Sequence, residues 1–136
     1  MNGQTFVDSC VILDVFTDDP VWGEWSSRHL FAAAERGLLV INALIYAEVS
    51  VRHGDRETLD LALSDFERED VPYEAAFLAG KVQADYRARG GKRSSLLPDF
   101  LIGAHAMVRG HRLLTRDPKR FANAFPALRL IAPGTA

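Results

Sequence analysis

Leu38-Leu39-Val40-Ile41, bounded by Gly37 and Asn42, is the run whose reading decides the fold. Its four side chains include no polar one, so neither face of a strand here would meet water, the pattern of a parallel sheet covered by helices on both sides. Upstream, Val21 to Arg36 carries Trp22, Trp25, Leu30 and Ala33 at helical spacing and stops at Gly37, a C-cap. Downstream, Asn42 caps a helix through about His53, stopped by Gly54. Further out, Gln4-Thr5-Phe6-Val7 is a β-rich first strand ending at Asp8, followed by a short helix from Val11 to Phe16 and the turn Thr17-Asp18-Asp19-Pro20. Asp55 to Glu69 reads as one amphipathic helix with Leu59, Leu63 and Phe66 on a face, and Asp70-Val71-Pro72 as a short strand. Helices follow from Glu74 to Arg89 and from Pro98 or Asp99 to Arg109; Arg112 to Thr115 and Leu128 to Ile131 are the last strands. Strands alternating with helices predict a three-layer α/β/α fold with a central parallel sheet.

The 136 residues, 48% hydrophobic and 25% charged, fit a single domain over 1–136. The lone Cys10 supplies neither a disulfide nor a zinc cluster and reads as a small buried hydrophobe. The N-terminal residues lack a basic-then-apolar signal pattern, and no apolar run approaches the roughly 20 residues of a membrane span, so a cytoplasmic protein without membrane contact is expected. The net charge of −2 hides a division: residues 1–80 hold 5 Lys/Arg and 15 Asp/Glu, whereas residues 81–136 hold 11 and 3. The basic part is a candidate polyanion surface, with Arg89, Lys92 and Arg93 in its densest run; a solvated helix end explains the same run equally well.

Four carboxylates stand against apolar residues: Asp8, Glu48, Asp99 and Asp117. An ionised carboxylate is costly to bury alone, so such acids ask for a cation, a basic partner or a catalytic duty. In an open parallel sheet the ligand site lies beyond the carboxyl ends of the strands. Asp8 directly follows the first strand, Asp117 follows the Arg112 to Thr115 strand, Asp99 sits where a helix N-terminus favours negative charge, and Glu48 shares a helix face with Leu44, Ile45 and Val51. Ser9, Thr115 and Arg116 flank these acids and are candidates to orient a carboxylate or touch a phosphate; turn bonding accounts for Ser9 and Thr115 as well. Asp14, six residues after Asp8, could approach the site from the first helix but reads first as a solvated helix residue, and Asp18 and Asp19 read as turn and cap residues.

The segments Phe6-Val7-Asp8-Ser9, Ala47-Glu48-Val49, Asp99-Phe100-Leu101-Ile102-Gly103-Ala104-His105-Ala106 and Leu113-Leu114-Thr115-Arg116-Asp117-Pro118-Lys119-Arg120-Phe121 together resemble the PIN-domain ribonucleases. More narrowly they are similar to the VapC toxins of bacterial toxin–antitoxin pairs. Departures are Cys10 at a commonly polar or small position, Gly103 in place of a frequent alanine, and Pro98 directly before the third acid. The resemblance implies a PIN-like fold and an endoribonuclease dependent on Mg2+ or Mn2+, leaving a 5′ phosphate and a 3′ hydroxyl. It further implies an antitoxin partner and a homodimer. On it, Asp8, Asp99 and Asp117 would bind metal, and Glu48 a metal water or the nucleophile. Oxygen-only ligands suit a hard cation independently of that likeness.

Other classes remain in view. A haloacid-dehalogenase-type phosphatase needs a second Asp two residues after the first, where Cys10 stands. A receiver domain needs an acidic pair and a downstream Lys, which Asp117 with Lys119 imitates poorly. A non-catalytic PIN-like module for protein or RNA binding is the non-enzyme alternative, opposed by the presence of all four acids. His29, His53, His105 and His111 show no zinc-site spacing and read as core or surface residues; Trp22 and Trp25 read as core or protein-contact residues.

Overall fold

A computed structural model describes residues 4–91 and 97–134. The chain runs β1 (Thr5–Val7), α1 (Ser9–Phe16), α2 (Gly23–Arg36), β2 (Leu39–Ile41), α3 (Ala43–Ser50) and α4 (Arg56–Ala62). It continues with β3 (Phe66–Arg68), α5 (Tyr73–Ala88), α6 (Leu97–Arg109), β4 (Arg112–Leu114), α7 (Lys119–Ala122) and β5 (Leu130–Ile131). The five strands form one sheet in the order β3-β2-β1-β4-β5, every pair parallel. Helices flank it to give the three-layer α/β/α arrangement. Every residue of β1 and β2 is buried, as strands covered on both faces require. Strand order runs outward from β1 to β3, then restarts at β4 on β1's other side. The carboxyl ends of β1 and β4 therefore flank the topological switch point, where parallel sheets open a crevice.

Local chemistry sets the element ends. Asn42 caps α3 through its side-chain oxygen, which accepts from the Ile45 amide at 3.0 Å. Asp19 accepts from the Trp22 and Val21 amides at 2.7 and 3.0 Å, the turn role expected of it. The helix expected over Asp55–Glu69 is instead α4 followed by β3, and Asp70–Pro72 is an irregular connection. Leu59 and Leu63 are both 1% exposed and do share a face, but Ser64 and Asp65 favour a turn. Phe66, at helical spacing from them, pairs with Leu39 on β2 instead. Glu67 and Arg68 are exposed, as suits an edge strand. The helix after Asn42 stops at Ser50, three residues short of His53, in a turn closed by the Arg52 and His53 amides. The single turn α7, after Pro118, had no expectation.

Asp14, expected in solvent, is 2% exposed. It accepts from Ser26 Oγ at 2.7 Å and takes both prongs of Arg116, at 2.7 and 3.2 Å, so α1, α2 and the turn after β4 are tied at one buried carboxylate.

Gly103 packs α6 onto α7 and the chain just after it. A Cβ there would come within 2.5 Å of Phe125 Cε2 and 3.3 Å of Phe121 Cδ1, so an alanine has no room beside these rings. Overpacking costs about 1–3 kcal/mol, against about 1 kcal/mol gained in helix propensity. Gly103→Ala is therefore expected to lower stability by roughly 1 kcal/mol net. Adding Phe125→Leu should bring out the propensity gain relative to Phe125→Leu alone. Thermal unfolding of the variants checks this, and a stabilised single variant would refute it.

A second buried polar cluster lies apart from the switch point. Asn42 Oδ1 is used by the Ile45 amide, so its NH2 faces His105 Nδ1 at 3.0 Å, and His105 Nε2–H donates to Glu69 Oε1 at 3.0 Å. His111 Nε2 also meets Glu69, at 3.0 Å. Burial holds His105 below its ordinary pKa of 6.5, against the pull of Glu69. Burial pushes Glu69 up, but the His111 and His105 hydrogen bonds bring it net below 4.5. As pH falls below about 6.5 the unfolded chain takes up a proton that folded His105 refuses, so stability declines; Glu69 extends the decline below about 4.5. Urea unfolding between about pH 7 and 5 should show this loss, and His105→Gln should flatten it. A slope unchanged by the substitution would count against His105 as its source.

Candidate metal centre and nucleic-acid interface

Asp8 leaves the end of β1 in extended conformation and caps α1. It is fully buried and densely held. Oδ1 accepts from the Ser9 amide at 2.8 Å; Oδ2 accepts from Thr115 Oγ1 at 2.8 Å and Arg120 Nη1 at 2.9 Å. Asp99, in the first turn of α6, accepts from Arg120 Nη2, so one guanidinium bridges the two acids. Arg120 is only 24% exposed, and its carboxylate partners raise its already high pKa despite burial.

Glu48, on α3, joins them through Ser9, whose hydroxyl donates to Glu48 Oε1 at 2.6 Å while its amide holds Asp8. Burial pushes the Glu48 carboxyl above its ordinary 4.5; Ser9 and Arg120 oppose that shift, and the charges of Asp8 and Asp99 add to it. The Asp117 amide donates to Thr115 Oγ1 at 3.1 Å, so the threonine that fixes Asp8 also fixes the start of the Asp117 turn. Asp117, Asp99, Arg120, Lys119 and Arg89 all line a cavity of about 470 Å³ floored by Val82, Tyr86, Phe100 and Ala124. Among the described residues no cation pairs with the Asp117 carboxylate.

The structure thus gathers Asp8, Glu48 and Asp99 around Ser9 and Arg120, with Asp117 on the adjoining cavity wall. Arg89 is on that wall as well. Arg116 is engaged by Asp14 and lies 5.7 Å from the Trp22 ring rather than standing free. Lys92 and Arg93 lie outside the described residues. Cys10 is neighbour to the site, its thiol 3.5 Å from Asp8 Oδ2, and burial followed by the Asp8 charge pushes its pKa up to about 12. A thiol so hard to ionise is no nucleophile at neutral pH.

Sequence reasoning missed Arg120 and ranked the buried role of Asp14 second to a solvated one. For Arg120 the available signal was its place three residues after Asp117, on a turn leading back to the acids.

The donor set fits a hard divalent cation. It is oxygen-only, and the acids gathered there outnumber the one guanidinium that bridges Asp8 and Asp99. Among the described residues, no three His, Cys, Asp or Glu side chains already surround a common ion position. Among the same residues no helix is long and apolar enough to cross a membrane.

Comparison with known proteins agrees with this architecture. The sequence model of the PIN domain matches residues 5–125. A chain of the crystal structure of VapBC2 from Rickettsia felis, bound to a DNA fragment from their promoter, superposes with a TM-score of 0.73 at 20% identity, covering 95% of this chain and 98% of that one. A toxin–antitoxin complex from Klebsiella pneumoniae gives 0.70 at 20% identity, covering 97% and 99%. VapBC-1 from nontypeable Haemophilus influenzae gives 0.72 at 15% identity, covering 95% and 97%. No curated protein sequence matches the chain.

Proposed function

This chain belongs to the PIN-domain family, and from that premise we propose that it is a Mg2+- or Mn2+-dependent endoribonuclease acting as the toxin of a toxin–antitoxin pair. The observation that carries the reading is the convergence of Asp8 and Asp99 on a single cationic group at the switch point, with Glu48 tied to Asp8 by Ser9. A hard divalent cation held by Asp8, Asp99, Asp117 and Glu48 would supply Lewis-acid polarisation of a phosphodiester and a water acidic enough to attack it near neutral pH.

The chain's own residues divide the remaining work. Ser9 and Thr115 fix the Asp8 carboxylate, so it need not reorganise when charge develops. Glu48, oriented by the Ser9 hydroxyl on Oε1, would hold a metal-bound water or position the attacking one. Arg89 and Lys119 line the cavity beside Asp99 and Asp117, where they would offset the phosphates of a single strand. A cognate antitoxin is supported by the toxin–antitoxin complexes among the solved structures of this fold. A homodimer would draw on exposed apolar side chains such as Phe31 and Phe77, 67% and 68% exposed.

The test is to sequence the RNA ends left by the purified protein with Mn2+, with EDTA, and with Asp99→Asn in its place. Cleavage leaving 5′ phosphates, only in the first reaction, is the expected result. Cleavage that persists in all three would refute the carboxylate mechanism.

A further inference from the structure

We propose that Arg120 is a built-in competitor of the divalent cation, holding Asp8 and Asp99 together until a metal displaces it. This rests on the metal-dependent reading above and adds to it a residue that sets how tightly the metal binds. The geometry is direct. Arg120 Nη1 donates to Asp8 Oδ2 at 2.9 Å and Nη2 to Asp99, so the two nitrogens of one planar group engage the acids that would have to hold the metal. Asp8 Oδ2 already serves Thr115 as well, and little of its acceptor capacity is left while the guanidinium stays.

A guanidinium and a divalent cation cannot both occupy the space between those oxygens, so binding of one opposes binding of the other. The double charge favours the metal, because Glu48, tied to Asp8 through Ser9, and Asp117 on the cavity wall bring two further carboxylates beside the two acids that Arg120 bridges. Arg120 also lines the cavity shared with Asp117, Lys119 and Arg89. Turned toward that cavity, its charge would pass from the acids to the wall along which a phosphodiester would run. Its seat favours such a swing: it comes from a four-residue helix after Pro118 and keeps a quarter of its side chain in solvent.

Calorimetric titration with Mn2+ alone tests this without reference to cleavage. Arg120→Met is expected to bind Mn2+ roughly tenfold more tightly than the wild type. Without Mn2+ it should unfold at a lower temperature, since two acids lose their counter-ion, and Mn2+ should raise its melting temperature by more than it raises that of the wild type. Arg120→Lys keeps the charge but lacks the two-pronged fork, so its affinity should fall between the two; it carries the test if the methionine variant does not fold. A merely structural arginine would lower stability without strengthening metal binding. Equal or weaker Mn2+ affinity in the folded variants overturns the competition and leaves the metal site standing. Absence of Mn2+ binding in every protein, wild type included, overturns both.

Discussion

Asp8→Asn and Asp99→Asn should each slow RNA cleavage by on the order of a thousandfold, the scale of losing one preorganised electrostatic group. Their stabilities should separate. Asp8 is fully buried and its two oxygens accept from Ser9, Thr115 and Arg120. An asparagine there must turn an NH2 group toward at least one of those donors, leaving buried donors unsatisfied at a cost of about 1–3 kcal/mol. Asp99 is 18% exposed and stands in the first turn of α6. Its neutralisation forfeits part of an ion pair and a favourable dipole contact worth about 0.3–1 kcal/mol, so the fold should survive better. Initial cleavage rates paired with thermal unfolding check both halves. An Asp99→Asn protein that folds and keeps a tenth or more of wild-type activity would remove Asp99 from the metal-binding set.

The supports of these acids should matter less. Ser9→Ala leaves the amide that holds Asp8 but removes the hydroxyl on Glu48, and a loss of about 10–100-fold is expected. Thr115→Ala should fall in the same range, because its hydroxyl serves both Asp8 and the Asp117 amide. Either variant at full wild-type rate would make these bonds architecture rather than positioning.

What could be read from the chain, and what could not, follows from how far each cue reaches. The β2 run has no polar face, and burial on both sides is its only favourable state; the parallel sheet follows from that local fact. Asp8 was visible because an apolar strand stops on it. The β3 error has a local origin too: Leu59, Leu63 and Phe66 fit a helical period, and only pairing with β2 puts Phe66 on a strand. Charge was the least legible property. The excess of Lys and Arg after residue 80 reads as a surface for phosphate, yet several of these cations pair with acids of the other part. Arg116 meets Asp14, Arg120 meets Asp8, and Arg109 meets Glu69. The partners are separated by 102, 112 and 40 residues, beyond the reach of any periodicity. The opposed charges of the two parts thus do structural work first, and the cations left at the cavity, Arg89 and Lys119, are the better candidates for substrate.

Arg116→Ala should be the most destabilising single change at these cross-chain pairs. It leaves Asp14 at 2% exposure with the Ser26 hydroxyl as its one remaining side-chain donor among the described residues. An uncompensated buried carboxylate costs about 3–5 kcal/mol, and the third of Arg116 that faces solvent places the loss near the lower end, about 3 kcal/mol. For a chain of this length that is a fall in melting temperature of roughly 10 °C. Removing the charge together with its partner should restore much of the loss: Asp14→Asn with Arg116→Ala leaves an amide that Ser26 can still hydrogen-bond. In a double-mutant cycle the pair should show a coupling of about 2 kcal/mol or more, since the two groups share both hydrogen bonds. Simple additivity of the two single substitutions would mean that Arg116 stabilises through its packing over Trp22 instead. Because Arg116 lies between Thr115 and Asp117, the single variant should also weaken cleavage, while the double variant should recover stability but not the full rate. Recovery of both would show that Arg116 acts on the site only through the fold.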